Sequence, residues 1–373
     1  MKKFNILVLC PVYKPHSGGG AQYFPILISS ILKFDYLKKL FLITEYHSDC
    51  KLITVDNKLI ILRILPQRDT VKNKNFITHY IFYFLSYLII FIFIPFIVLF
   101  YKIHIIHFTR YLTAHFAFLL KILKKIFSVK IILDLRTVVG NKKESQHLKK
   151  FKFVDKILSN SLSVKYQIDQ INDLKEINHF LINPIIFRKQ KGRNDIVKSR
   201  QNNDLIKQKY LLFVGLINDR KSIIECVEAF NKIDKLIPEY KFVIIGRNNM
   251  GQKFLNLIKN NKSINYLGEE EHETVLDYIE CSELILQPSK FEGIPRVSLE
   301  SLNFNKKILL PSCVPEFSKY YFFLPKEINS EQISKSILKI IGQDKYPIYD
   351  CNLHSLHNYR SLLNKYYTDI IKS

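Results

Sequence analysis

Two glutamates eight positions apart, Glu292 and Glu300, flank the turn Gly293-Ile294-Pro295-Arg296. Before them runs Leu284-Ile285-Leu286, short, apolar and bounded, which reads as a buried strand. Proline suits the first helical position, where its missing N–H costs nothing, so Pro295 opens a helix. The unit is therefore strand, tight loop, helix N-terminus, with Glu292 in the loop and Glu300 on the helix. Unpaired N–H groups and the positive dipole end of a helix start favour a phosphate. A carboxylate one or two turns further on can accept hydrogen bonds from ribose hydroxyls. A surface loop followed by a helix bearing two solvated acids has the same spacing, so the surrounding elements must decide.

Those elements alternate. The first half reads as strands at 5–10, 40–44, 59–63, 103–107, 130–133 and 156–159, with helical stretches between, the first over 21–34. Periodicity lapses from Arg188 to Lys209, a polar, basic stretch carrying Gly192 that suits a linker. The pattern restarts with strands at 210–214, 241–245, 264–267, 284–287 and 307–310, and helices at 221–235, 251–260, 271–280 and 295–304. A final helix runs from His357 to Ile371, with Tyr359, Leu362, Leu363, Tyr366 and Tyr367 along one side. Alternation of this kind predicts α/β architecture, two doubly wound domains in 373 residues.

Composition narrows the classes. Apolar residues make up 47% and charged residues 24%, which is globular. Lys and Arg outnumber Asp and Glu 56 to 33, a charge of +23 that attracts polyanions or anionic lipid and says nothing about fold. The six cysteines have no metal-ligand spacing and lie in or beside apolar segments, which suits a reducing compartment. The apolar start at Phe4 to Pro11 is too short for a signal peptide and fits a first strand.

The block from Pro288 to Glu300 resembles the Glu-x7-Glu motif of the retaining, GT-B-fold glycosyltransferases of family 4 (glycosyl transferases group 1). Leu211 to Gly215, Lys221, Glu228-Ala229-Phe230, Phe242 to Gly246 and Ile264 to Gly268 are similar, in order, to the opening of that family's donor domain. Val154 to Ser161 and Ile182-Asn183-Pro184 are similar to the segments closing its first domain. The resemblance implies two Rossmann-like domains facing a central cleft. An acceptor-side domain would cover 1–190 and a nucleotide-sugar domain 205–350, with 351–373 as a helix crossing back to the first. It implies a donor diphosphate held by Lys221, with Gly215, Arg220, Gly293, Ile294 and Arg296 around it. Glu292 would position the transferred sugar and Glu300 the ribose. Gly18, Gly19 and Gly20 would form the glycine loop facing donor and acceptor. Leu216 departs from the pattern, which usually has Arg directly after the Gly. The His expected near the sugar is also missing; Asp134 and Arg136 stand there, and His107 ends a neighbouring strand. With no Asp-x-Asp pair, the resemblance implies a metal-independent hexosyltransferase without a cofactor, using a UDP- or GDP-sugar. It also leaves open nucleotide-sugar hydrolysis, epimerisation, or a non-catalytic relative.

Phe76 to Tyr101 carries no Asp, Glu, Lys or Arg and is long enough to span a bilayer. A single span would separate the two domains, so an interfacial or re-entrant element, or a very apolar core helix, is expected instead. Phe118 to Phe127 is a basic amphipathic stretch of the type that lies on anionic lipid. Together they point to a cytoplasmic protein on the inner face of the membrane, acting on a lipid-linked saccharide or surface-polysaccharide precursor. A polyanion-binding protein shares the charge, but recognition-helix and aromatic-interleaved basic motifs are missing, so no nucleic-acid partner is expected.

Overall fold

The computed structural model describes residues 2–10, 12–15, 19–66, 76–109, 113–136, 147–199, 204–318, 322–324, 328–343 and 349–373. The chain divides into two compact units, Met1–Pro184 with His357–Ser373, and Ile185–Leu356.

In the first unit the strands are β1 (Phe4–Leu9), β2 (Leu37–Glu45), β3 (Ile53–Asp56), β4 (Leu59–Leu65), β5 (Ile103–Thr109), β6 (Lys130–Leu135), β7 (Lys156–Ser159) and β8 (Asn178–Phe180). They form one sheet in the order β3-β4-β2-β1-β5-β6-β7-β8. Every pair is parallel except β3 with β4. Its longer helices include α1 (Gly19–Ile31), α2 (Phe76–Phe100) and α3 (Thr113–Phe127). Ile90, Ile94, Ile97 and Val98 of α2 join Leu7, Leu9, Ile106 and Leu133 in one core. The same helix leaves Phe84, Leu88, Ile92, Phe96 and Phe100 exposed. Among the described residues no helix is long and apolar enough to cross a membrane.

The second unit holds β9 (Lys209–Val214), α4 (Ile223–Ile233), β10 (Tyr240–Ile245), β11 (Ile264–Gly268), α5 (His272–Cys281), β12 (Leu284–Leu286), α6 (Arg296–Asn303), β13 (Lys307–Pro311), β14 (Phe322–Leu324) and α7 (Ser330–Ile341). Its parallel sheet runs β11-β10-β9-β12-β13-β14. The strands β9, β10, β12 and β13 are largely buried on both faces. Tyr210, Leu212 and Val214 enter one core and Leu211 and Phe213 the other, as a helix-covered parallel sheet requires. Full burial of a side chain such as Phe213 contributes about 1.5–3 kcal/mol.

The polar stretch expected as a linker is instead fixed to the second unit. Arg188 donates from Nη1 to Asp277 Oδ1 at 2.6 Å and from Nη2 to Glu280 Oε2 at 2.7 Å. The Lys191 and Gly192 N–H groups donate to Glu280 Oε1, each at 2.7 Å. Short helices follow at Arg193–Ser199 and Asp204–Lys207, with Ile196 and Ile206 buried. One apolar anchor per short helix leaves no periodicity to read, and charge pairing does the rest. β3, β8 and β14, each three or four residues long, are too short for a periodic pattern to mark them. The last helix, α8 (Leu356–Lys372), packs in the first unit.

Candidate functional site

Ligands of open α/β sheets bind beyond the strand C-termini where the strand order reverses. In the second sheet that point lies between β9 and β12, since β10 and β11 continue to one side and β13 and β14 to the other. The loops leaving these two strands carry Gly215 to Lys221 and Ser289 to Pro295. They are laced together where the Lys290 N–H donates to Arg220 O at 2.9 Å.

At this point the structure gathers three of the charged residues singled out by the sequence. Lys221 Nζ donates to Glu292 Oε1 at 3.1 Å, and Arg220 Nη1 donates to Glu292 Oε2. The Arg220 Nη1 also donates to Phe291 O at 3.2 Å. A one-turn 3-10 helix, Asp219–Lys221, presents both cations, capped by the Asn218 side chain accepting from the Lys221 N–H at 3.1 Å. Burial lowers the Lys221 pKa; Glu292 opposes this and Arg220 adds to it, so the ammonium is held below the ordinary lysine range. An anion brought close to such a buried cation favours its charged form.

Two glycines make this approach possible. Gly215 has φ 154° and Gly246 φ 140°. A Cβ on Gly246 would lie 1.9 Å from Gly215 O, so only glycine fits there. A Cβ on Gly215 would sit 3.8 Å from Lys221 Cε, which places the lysine directly over that residue.

Glu300 lies on α6, buried, and makes its own pairs. Its Oε1 is 3.0 Å from His272 Nε2 and 3.2 Å from Arg296 Nε, four residues before it. Arg296 is the first residue of the helix; Pro295 sits one position earlier, at the N-cap with ψ 129°, rather than inside the helix as its type suggested. Gly293 and Ile294 form the turn before it and are buried. Ser298, in the first turn, is fully buried and its Oγ has no hydrogen-bond partner among the described residues. His272 opens α5, and nothing in its spacing distinguishes it from any helix-start polar residue.

In the first unit the site candidates form a second buried cluster at the ends of β5 and β6. The Tyr23 hydroxyl donates to Asp134 Oδ2 at 2.9 Å and lies 2.9 Å from the Tyr359 hydroxyl of α8. His107 Nδ1 is 2.7 Å from the Tyr367 hydroxyl, and its Nε2 is 3.6 Å from Asp134 Oδ2. Arg136 stacks over the Tyr23 ring, lies 3.7 Å from Asp134 and donates to Asn183 Oδ1 at 2.6 Å. Burial would raise the Asp134 carboxyl, but Arg136, His107 and Tyr23 outweigh it and hold it below its usual value. Asp134 is 1% exposed, so it acts on its surroundings through Arg136 and the tyrosines. Gly19 and Gly20 open α1, and Gly18 lies outside the described residues.

The stretch expected to be a basic lipid-facing helix is α3. Its Phe118 and Ile126 are exposed, as are Lys121 and Lys125. Lys124 is not free: it pairs with Asp155 at 2.9 Å and donates to Phe153 O at 2.7 Å.

Residues 195–347 match the family model described as glycosyl transferases group 1. No curated protein sequence matches the chain. Sucrose-phosphate synthase of Thermosynechococcus elongatus is similar in structure, at TM-score 0.75 and 12% identity, over 99% of this chain and 100% of that one. Anabaena Alr3699/HepE, solved with UDP and glucose, has TM-score 0.72 and 13% identity over 98% and 100%. The UDP-forming α,α-trehalose-phosphate synthase of Burkholderia vietnamiensis has TM-score 0.71 and 12% identity over 100% of both chains. At these identities the likeness concerns the fold: two Rossmann-like units with parallel sheets, the GT-B fold.

Proposed function

We propose that this chain of GT-B fold, with its glycosyl transferases group 1 match over 195–347, is a retaining glycosyltransferase. It moves a hexose-type sugar from a UDP- or GDP-sugar to a lipid-linked saccharide or surface-polysaccharide precursor. The observation that carries this is the convergence of Arg220, Lys221 and Glu292 on the strand-order reversal of the second sheet. Two cations around one carboxylate leave a surplus positive charge where a nucleoside diphosphate would lie, and uridine nucleotides are bound by similar structures.

Each residue then has a role. Lys221 and Arg220 transfer part of their pairing from Glu292 to the diphosphate. Glu292, released, accepts from hydroxyls of the transferred sugar. Glu300, held by His272 and Arg296, accepts from the ribose hydroxyls. As the sugar–phosphate bond breaks, negative charge grows on the departing diphosphate, and the two cations with the first turn of α6 stabilise it without a metal ion. The departing phosphate takes the acceptor hydroxyl's proton, and attack from the same face retains the anomeric configuration. Losing one such charge-stabilising donor costs roughly 10²–10³ in rate. In the first unit, Asp134 fixes Arg136, which is placed to contact the acceptor.

The exposed apolar side of α2 and exposed Lys121 and Lys125 of α3 support a peripheral seat on anionic membrane, each cation contributing about 1 kcal/mol. A panel of nucleotide sugars tested by thermal stabilisation, followed by product analysis with a lipid-linked acceptor, checks the reading. Stabilisation by a nucleotide sugar and an α-configured product from an α-donor support it. Strongly salt-dependent nucleic-acid binding with no nucleotide-sugar response would replace it with a polyanion-binding role.

A further inference from the structure

Beside α2 the first unit carries a groove of about 450 Å³, lined by Tyr46, Leu52, Arg63, Ile64, Leu65, Pro66, Ile89 and Phe93. Its size falls in the roughly 300–1,000 Å³ range of small-molecule sites. The floor is built from the C-terminal ends of β2 and β4. One wall is Ile89 and Phe93 of α2, and Phe93 is also part of that helix's exposed apolar side. The groove therefore opens onto the surface that would meet a membrane.

In this apolar lining Arg63 is out of place. It is 7% exposed, and among the described residues it makes no ion pair. Its Nη1 donates to Thr54 Oγ1 at 3.1 Å and Lys51 O at 3.4 Å, which fixes the guanidinium, while Nε has no hydrogen-bond partner among the described residues. A buried guanidinium without a counter-charge is costly, and an anion that completes it recovers that cost. Burial raises the Tyr13 phenol, Cys10 adds to that and Arg63 opposes it, so the guanidinium lies within electrostatic reach of the loop that follows β1. That loop is the one carrying Gly18, Gly19 and Gly20.

We propose that this groove holds the apolar chain of a phosphate-bearing lipid acceptor, with Arg63 pairing the anionic head. The inference rests on the acceptor reading above and specifies it. The chain runs along Leu65, Ile89 and Phe93 towards the exposed side of α2, and the head sits at the sheet edge.

The chain has no tryptophan, so Phe93→Trp places a single reporter in the groove wall. The probes are a bromoalkyl phosphate below its micelle concentration, a bromoalkyl glucoside with a neutral head, inorganic phosphate, and vesicles of brominated phosphatidylglycerol. Saturable quenching by the bromoalkyl phosphate is expected, at least tenfold tighter than by the glucoside. Arg63→Gln in the same background should remove that preference and leave glucoside quenching unchanged. Leu52→Glu, at an exposed lining position, should weaken both alkyl probes and gives a second route should Arg63→Gln fail to fold. No saturable quenching, equal quenching by both heads, competition by inorganic phosphate as strong as by the alkyl phosphate, or quenching by vesicles alone would each overturn the proposal. The assay uses no donor. Transfer without quenching therefore refutes the groove and spares the transferase reading. Quenching in a chain that binds no nucleotide sugar keeps a lipid site but overturns its assignment to an acceptor.

Discussion

Gly246→Ala probes how the donor loop is built. An added Cβ would meet Gly215 O at 1.9 Å and Gly215 C at 2.7 Å, both backbone atoms that cannot swing aside. The two strand ends would have to part by about 1.5 Å to reach ordinary contact. Two hydrogen bonds stand in the way: Gly215 N–H to Ile245 O at 2.9 Å and Gly246 N–H to Gly268 O at 2.7 Å. Weakening them costs about 0.5–1.5 kcal/mol each. A non-glycine residue at φ 140° adds roughly 1–3 kcal/mol of strain. The total is about 2–6 kcal/mol, read as a lower urea midpoint for the second unit's transition at unchanged slope. Because Lys221 lies over Gly215, uridine diphosphate affinity should also fall about tenfold, or ~1.4 kcal/mol. Gly342→Ala is the control: Gly342 has φ −78° and its nearest contact is 3.6 Å, so stability should be unchanged or rise by about 0.4–1 kcal/mol. A Gly246→Ala protein within 1 kcal/mol of wild type would refute the close-approach argument.

Glu292→Gln should lower turnover at least ~10²-fold while nucleoside diphosphate binds as well or better, since Lys221 and Arg220 lose their internal partner; a transfer assay with calorimetry separates the two. Nucleoside diphosphate affinity should decline with rising pH before the ordinary lysine range near ~10.4, because the lowered Lys221 pKa deprotonates its ammonium early. Lys221→Arg should abolish that decline, and a flat profile in wild type would contradict the assignment. Asp134 has a depressed folded pKa, so its contribution is complete above the unfolded value near ~3.9 and is lost as pH falls through the folded one. Asp134→Asn should cost about 3 kcal/mol at neutral pH and flatten the acid limb of stability, checked by urea unfolding at several pH values. Phe96→Glu, on the exposed side of α2, should reduce flotation with anionic vesicles several-fold without changing thermal stability.

Where a physical signal was local, the sequence carried it. The all-buried strands Leu211 to Val214 and Phe242 to Ile245 read as parallel-sheet strands from apolar runs alone, and Glu292 and Glu300 fell in loop and helix as their spacing implied. What spacing could not carry was pairing between distant segments. Nothing near Arg188 announces that Asp277 and Glu280 will hold it, and nothing near Glu300 announces His272. The Asp134 cluster is similar: its Tyr359 and Tyr367 come from the last helix, which reads as a Tyr-rich apolar stripe. Arg63 looked like one more cation in a chain of +23, and only burial shows that it is unusual.

Calorimetric titration of uridine and guanosine diphosphates into wild type and Lys221→Ala tests the central claim most directly. The account predicts saturable binding of at least one of them, weakened tenfold or more by the substitution. Failure of both to bind, or equal affinity in the two proteins, would contradict it.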